Sequence, residues 1–159
     1  MNANHYQTND IRVLIVDDEE RARELLEILL LRIHCVSVCG KASSADEALN
    51  MVMTTRPDLV FLDVQMPEKN GFQLVDYLHK YMVDTPVVFV TAHAEFAIPA
   101  LKVSAFDYLL KPVIMEQLEE TIHRFRAGRI KQFREKKQEK ETAPDGKKAR
   151  LKFNTRTGY

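Results

Sequence analysis

Five side chains suited to metal or phosphoryl chemistry stand where apolar runs give out. Asp17 and Asp18 follow VLIV, Asp63 follows LVFL, Thr91 follows VVFV, and Lys111 follows DYLL. If those runs are neighbouring strands, the residues after them meet at one edge of a sheet. Three carboxylates so close repel one another and raise each other's pKa. A hard divalent cation resolves the conflict, and carboxylate oxygens with several retained waters describe a site for Mg²⁺ (or Mn²⁺). Beside a carboxylate, such an ion neutralises incoming phosphate oxygens and leaves one carboxylate oxygen free to attack in line. Lys111 would add a second positive charge, and the Thr91 hydroxyl can donate to a phosphate oxygen. Each residue has a plainer reading. Asp17 and Asp18 could cap a helix, and Thr91 could be an ordinary strand residue. Their joint occurrence with Asp63 and Lys111 is what favours a site.

The elements that must position them alternate. A short β-branched run, Arg12 to Asp18, precedes a stretch from Glu20 to Ile33 whose Ala22, Leu25, Leu26, Leu29 and Leu30 fall at helical spacing. CVSVCGKA reads as a strand up to about Gly40. Ser43 and Ser44 followed by Asp46 and Glu47 start a second helix, which Arg56-Pro57-Asp58 breaks. LVFLD is a third strand, MPEKNG a turn, and a third helix covers about Phe72 to Tyr81. PVVFVTA and FDYLLK are strands four and five, with a short helix between them in which Pro99 should remove a hydrogen bond and distort the turn. A last helix starts near Ile114 and extends into the charged tail. Strands without polar alternation, separated by helices, imply a parallel sheet covered on both faces. Five such units suit an α/β, flavodoxin-like doubly wound fold with strand order 2-1-3-4-5.

The zero net charge of the 159 residues hides a polarity. Residues 1–125 carry 19 acids against 11 bases, whereas residues 126–150 carry 10 bases against 4 acids, so body and tail behave differently. The opening residues lack the apolar core of a secretory signal, and no apolar run approaches the roughly 20 residues of a bilayer span. A cytoplasmic protein without a membrane association is expected. Two cysteines are too few for a disulfide framework. On one strand, Cys35 and Cys39 would share a buried face in reduced form, and with His34 they would not converge on a metal.

The segments VLIVDDEE, LVFLDVQMPEKNG, VVFVTA and DYLLKP, in this order and spacing, resemble the response-regulator receiver family of two-component systems over about Ile11 to Phe125. The resemblance implies a phosphorylation switch that takes a phosphoryl group from a sensor histidine kinase onto Asp63. It implies Mg²⁺ held by Asp17, Asp18, Asp63 and the backbone carbonyl of Gln65. Thr91 and Lys111 would bind the phosphoryl group, Tyr108 would be the aromatic switch, and the Lys111–Pro112 bond would be cis. Gln65 and His93 stand where the family varies, and would tune hydrolysis of the acyl phosphate. Phosphorylation would drive homodimerisation through the surface around the fourth helix, fifth strand and fifth helix.

VSAFDYLLKP, with TAHAEFA before it, also resembles receivers of LytTR-type DNA-binding regulators, and the terminal LKFNTRTGY resembles the first strand of a LytTR domain. The expected organisation is a disordered tail over 1–10, a receiver over 11–126, a basic helix and linker over 127–150, and the start of a truncated DNA-binding domain over 151–159. DNA binding would then belong to the missing portion, because Glu135, Glu139 and Glu141 interleave with the tail's lysines as on a solvated helix. Two alternatives stand beside this reading: a stand-alone receiver that docks on a partner protein, and an aspartyl-phosphate hydrolase of the haloacid dehalogenase kind. Against the hydrolase, the run Asp63-Val64-Gln65 has no second carboxylate to serve as acid and base.

Overall fold

A computed structural model describes residues 10–142 of the chain. The order of elements is β1 (Ile11–Val16), α1 (Glu20–Leu31), β2 (Val36–Ala42), α2 (Ala45–Thr55), β3 (Leu59–Leu62), α3 (Gly71–Lys80), β4 (Val87–Thr91), a 3₁₀ turn (Ala94–Phe96), α4 (Ala97–Lys102), β5 (Asp107–Leu110) and α5 (Met115–Thr142). All paired strands are parallel, in the order β2-β1-β3-β4-β5. The expected doubly wound sheet is present.

Burial follows position in the sheet. Every residue of β3 and β4 is buried, as is every residue of β1 except Arg12. The edge strands β2 and β5 are mostly half-buried. This accounts for the unbroken apolar runs, because a central parallel strand has helices on both sides. Phe61, Phe89, Leu14, Leu62 and Leu74 are among the largest fully enclosed side chains.

Local chemistry sets the helix ends. Ser44 caps α2 by accepting from the Glu47 N–H, while the Glu47 carboxylate reaches back to Ser43. Arg56 closes α2 in the left-handed region at φ 47°, and Pro57 follows. A full capping box starts α3, in which Asn70 accepts from the Gln73 N–H and the Gln73 side chain accepts from the Asn70 N–H. This satisfies two donors that a helix start leaves without partners.

Two expectations are corrected. Cys35 is not on β2: it precedes the strand at φ 65°, with its sulfur 2.7 Å from His34 Nδ1. The strand continues past Gly40 to Ala42 by means of a register shift opposite Val13 and Leu14, which leaves Cys39 out of the pairing. Both cysteines are half-buried, and only Cys39 belongs to the strand. Pro99 is the third residue of α4, within the first turn, where backbone N–H groups have no partner inside the helix. The proline therefore removes no hydrogen bond from the helix interior, and a 3₁₀ turn precedes α4.

The chain divides into two compact units after Thr121. The second holds the remainder of α5, which continues without interruption past residues 126 and 127 to Thr142. The expected disordered tail over residues 1–9, the end of the linker over 143–150 and the strand over 151–159 lie outside the described residues. Among the described residues, no helix is long and apolar enough to cross a membrane.

Candidate functional site

Asp17 directly follows β1 and Asp63 directly follows β3. The two strands are neighbours in a register that pairs Val16 with Leu62, and the Asp63 N–H donates to the Val16 carbonyl at 2.9 Å. The two acids are thus side by side because their strands are. Oxygens of Asp17, Asp18 and Asp63 all lie within 4.8 Å of one another. Asp17 and Asp63 are buried, and Asp18 is exposed at the rim.

Lys111 directly follows β5, at the far edge of the sheet. Its N–H donates to the Thr91 carbonyl at 2.8 Å, which fixes the backbone where β5 ends. Its ammonium then reaches back over the sheet, 2.6 Å from Asp17 Oδ2 and 3.1 Å from Asp63 Oδ2. The Lys111–Pro112 peptide bond is cis.

The charges decide the chemistry. Burial pushes the Asp63 carboxyl up; Lys111 pulls it down, Asp17 pushes it up again, and the net direction is upward. Burial alone would lower Lys111, but its bonds to Asp17 and Asp63 outweigh that and hold the ammonium above its ordinary value. One lysine faces three carboxylates, so the cluster retains excess negative charge and an appetite for a cation.

The remaining sequence-derived candidates surround this cluster at differing depths. The Gln65 N–H donates to Asp63 Oδ1 at 3.3 Å, while its side chain is exposed. Thr91 is fully buried, and its hydroxyl oxygen accepts from the His93 N–H at 3.4 Å. The Tyr108 hydroxyl donates to the His93 carbonyl, joining β5 to the segment after β4. Burial and then the nearby Glu95 raise the Tyr108 phenol. The His93 ring is partly exposed, with Nδ1 3.3 Å from Glu95 Oε1. His93 enters the network through its backbone, and the ring points to Glu95 and Phe96.

Two positioning residues escaped the sequence reading. Gly71 opens α3 with its N–H on the Val64 carbonyl, and a Cβ there would stand 2.5 Å from the Asp63 carbonyl oxygen. Only glycine permits this approach, which presses α3 against the loop carrying Asp63. The available signal was a glycine at a helix start. The second is Arg23 of α1, which donates to the Asp17 carbonyl at 2.7 Å. Its place in a charged amphipathic helix gave no signal of that bond.

The pattern that defines the response regulator receiver domain matches residues 13–123. The chain belongs to that family. Among curated relatives, it is 43% identical over 152 residues to the transcriptional regulatory protein BtsR of Salmonella typhi, covering 94% of this chain and 59% of that protein. It is 38% identical over 132 residues to the sensory transduction protein LytT of Bacillus cereus, covering 83% of this chain and 54% of that one. The receiver matches thus span little more than half the length of these relatives. Among solved structures, the REC domain of AraT, a response regulator from Geobacillus stearothermophilus, superposes with a TM-score of 0.69 at 28% identity, covering 76% of this chain and 96% of that one. The sheet order of this receiver and the acid cluster at its carboxyl edge belong to a two-component response regulator.

Proposed function

We propose that Asp63 is the phosphoacceptor and that a sensor histidine kinase is the donor. One observation carries the reading: Lys111, from a strand two removed from β3, bonds Asp63 and Asp17 together inside a cluster of three carboxylates. An Asp63 carboxylate oxygen attacks phosphorus, a P–O bond forms as the P–N bond of the phosphohistidine breaks, and the imidazole leaves. The donor set of hard oxygens with excess negative charge fits Mg²⁺, or Mn²⁺ in its place, held by Asp17, Asp18, Asp63 and the Gln65 carbonyl. When bound, the ion would neutralise the phosphoryl oxygens. Lys111 supplies further positive charge to the group, and the Thr91 hydroxyl gives up the His93 N–H to donate to it.

Tyr108 carries the change outward through the His93 carbonyl to the 3₁₀ turn and α4. The output face offers apolar surface for a second copy of the chain: Ile98 is 67% exposed, Leu101 74% and Leu110 42%. Gln65 and His93 tune the lifetime of the acyl phosphate. The absence of a carboxylate at position 65 leaves water without a general base there, which supports a slow switch over a hydrolase.

The proposed organisation is a receiver over 11–126 and a basic connector over 127–150, with residues 151–159 beginning a LytTR-type DNA-binding domain. The whole protein would then control transcription from the cytoplasm. The long α5 and the relatives BtsR and LytT support this scheme.

Intact mass after incubation with acetyl phosphate and Mg²⁺ tests the acceptor. The wild type gains one phosphoryl group and Asp63→Asn gains none; equal gain by both proteins sinks the assignment.

A further inference from the structure

The end of the sheet opposite Asp63 holds a pocket of about 250 Å³, open to solvent at its mouth, that the phosphorylation switch does not use. Its inner wall is apolar, made by Val75 and Leu78 of α3 and Phe89 of β4, all buried. Val83 and Val103 form its flanks. The mouth is polar, with His79 and Asp84 exposed on one side and Ser104 exposed on the other.

We propose that this cavity is a binding site for a small, uncharged aromatic molecule of fused-ring size bearing one hydrogen-bond donor. The volume sets the size. A dry cavity of roughly 150 Å³ lined by aliphatic and aromatic side chains takes benzene, so the larger space here accommodates a bicyclic ring. An apolar inner wall with the polar groups His79, Asp84, Thr85 and Ser104 toward the mouth can fix a ring and orient its polar atom. The mouth sets the charge. The Asp84 carboxylate, beside His79, accepts from a donor, and burying an anion against the apolar inner wall is costly.

The place of the site gives it a route to the output face. Phe89 packs on Phe72 with centroids 4.9 Å apart and is the register partner of Tyr108 across β4 and β5. Val103 and Ser104 form the turn in which α4 ends, and Ser104 is held at φ 58°. An occupant therefore presses on the segment that joins α4 to β5.

Indole is a suitable probe because the chain has no tryptophan, so excitation on the long-wavelength side of the tyrosine band reports indole with little protein background. Titrating the full chain into indole should give a saturable blue shift as the ring leaves water. Indole-3-carboxylate, matched in ring but anionic, should bind at least about tenfold more weakly, given the unfavourable burial of its charge. Ala105→Leu fills the cavity from the α4–β5 turn and Val83→Met from the opposite flank. Either variant that retains wild-type circular dichroism should lose the shift. Absence of a saturable shift overturns the proposal, as does equal binding of the carboxylate or undiminished binding by a folded filled variant. The site does not depend on Asp63, so Asp63→Asn should bind indole as the wild type does.

Discussion

Replacing Asp63 by asparagine should stabilise the metal-free protein. Asp63 is 7% exposed and shares a space within 4.8 Å with two other carboxylates. A pair of unit charges at that separation repels by about 3.5 kcal/mol at an effective dielectric near 20. The repulsion from Asp17 applies in nearly full measure, whereas that from Asp18 is reduced because Asp18 faces solvent. Lys111, 3.1 Å away, offsets the Asp17 repulsion in full, with a Coulomb attraction of about 5 kcal/mol on the same scale, so the pairwise charges come close to cancelling. The desolvation of the carboxylate itself remains uncompensated. The amide keeps the shape and an acceptor for the Gln65 N–H while removing the charge, so a net gain of about 2 kcal/mol is expected. For a domain of this size that corresponds to a rise in Tm of roughly 6–10 °C.

The pH dependence has a definite sign. The Asp63 carboxyl titrates higher in the folded chain than in the unfolded one. The folded state thus holds the proton longer, and this group favours folding most at low pH, losing that contribution as pH rises through its folded value. The advantage of Asp63→Asn should be absent below the unfolded pKa of about 4, open as pH rises, and be complete above the folded value. Mg²⁺ should reverse the ranking. At a hundredfold excess over its dissociation constant, an ion bound only by the folded state adds about 2.7 kcal/mol, and the variant lacks one of its ligands. Thermal unfolding of both proteins at several pH values, with Mg²⁺ or with a chelator, measures all of this. A variant that melts below the wild type in chelator at pH 7, or that gains as much from Mg²⁺, refutes the account of a strained acid cluster relieved by a cation.

Three further substitutions probe the support of the site. Gly71→Ala forces a Cβ to within 2.5 Å of the Asp63 carbonyl oxygen, so it should cost about 1–3 kcal/mol in denaturant unfolding and slow acetyl-phosphate labelling. Asn70→Ala removes one half of the capping box of α3 and should cost about 1 kcal/mol by the same measurement, with labelling retained. Thr121→Val deletes the buried hydroxyl that donates to Asp107 Oδ2. Loss of a buried hydrogen bond to a charged acceptor should lower stability by about 1–3 kcal/mol, and an unchanged midpoint would show that the bond adds nothing to folding.

Much of the fold was readable because burial leaves a direct mark on composition. The central strands β1, β3 and β4 are nearly wholly enclosed and so are nearly wholly apolar, which made them visible as short runs ending in polar residues. Ser44 and Arg56-Pro57 marked the ends of α2 because capping and proline act locally. The edge strand β2 was harder to read. Its extension to Ala42 depends on a register shift opposite β1, and no local spacing records which residue a partner strand skips. That shift also misplaced Cys39, whereas Cys35 precedes the strand in a left-handed backbone conformation. The 3₁₀ turn before Pro99 is likewise a response of the backbone to its surroundings.

By itself, the amino-acid order determined which chemical groups stand at the ends of the strands: two acids, a third acid, a hydroxyl and a lysine. Those identities favour oxygen-bound cations and phosphoryl groups if the strand ends meet. Only the tertiary structure decided that Lys111 Nζ bonds both Asp17 and Asp63, that Tyr108 is tied to the His93 carbonyl, and that Gly71 leaves no room for a Cβ beside Asp63. These contacts join residues up to 94 positions apart. Their distances are set by strand order, register and the packing of helices on the sheet, which emerge from the whole core condensing together.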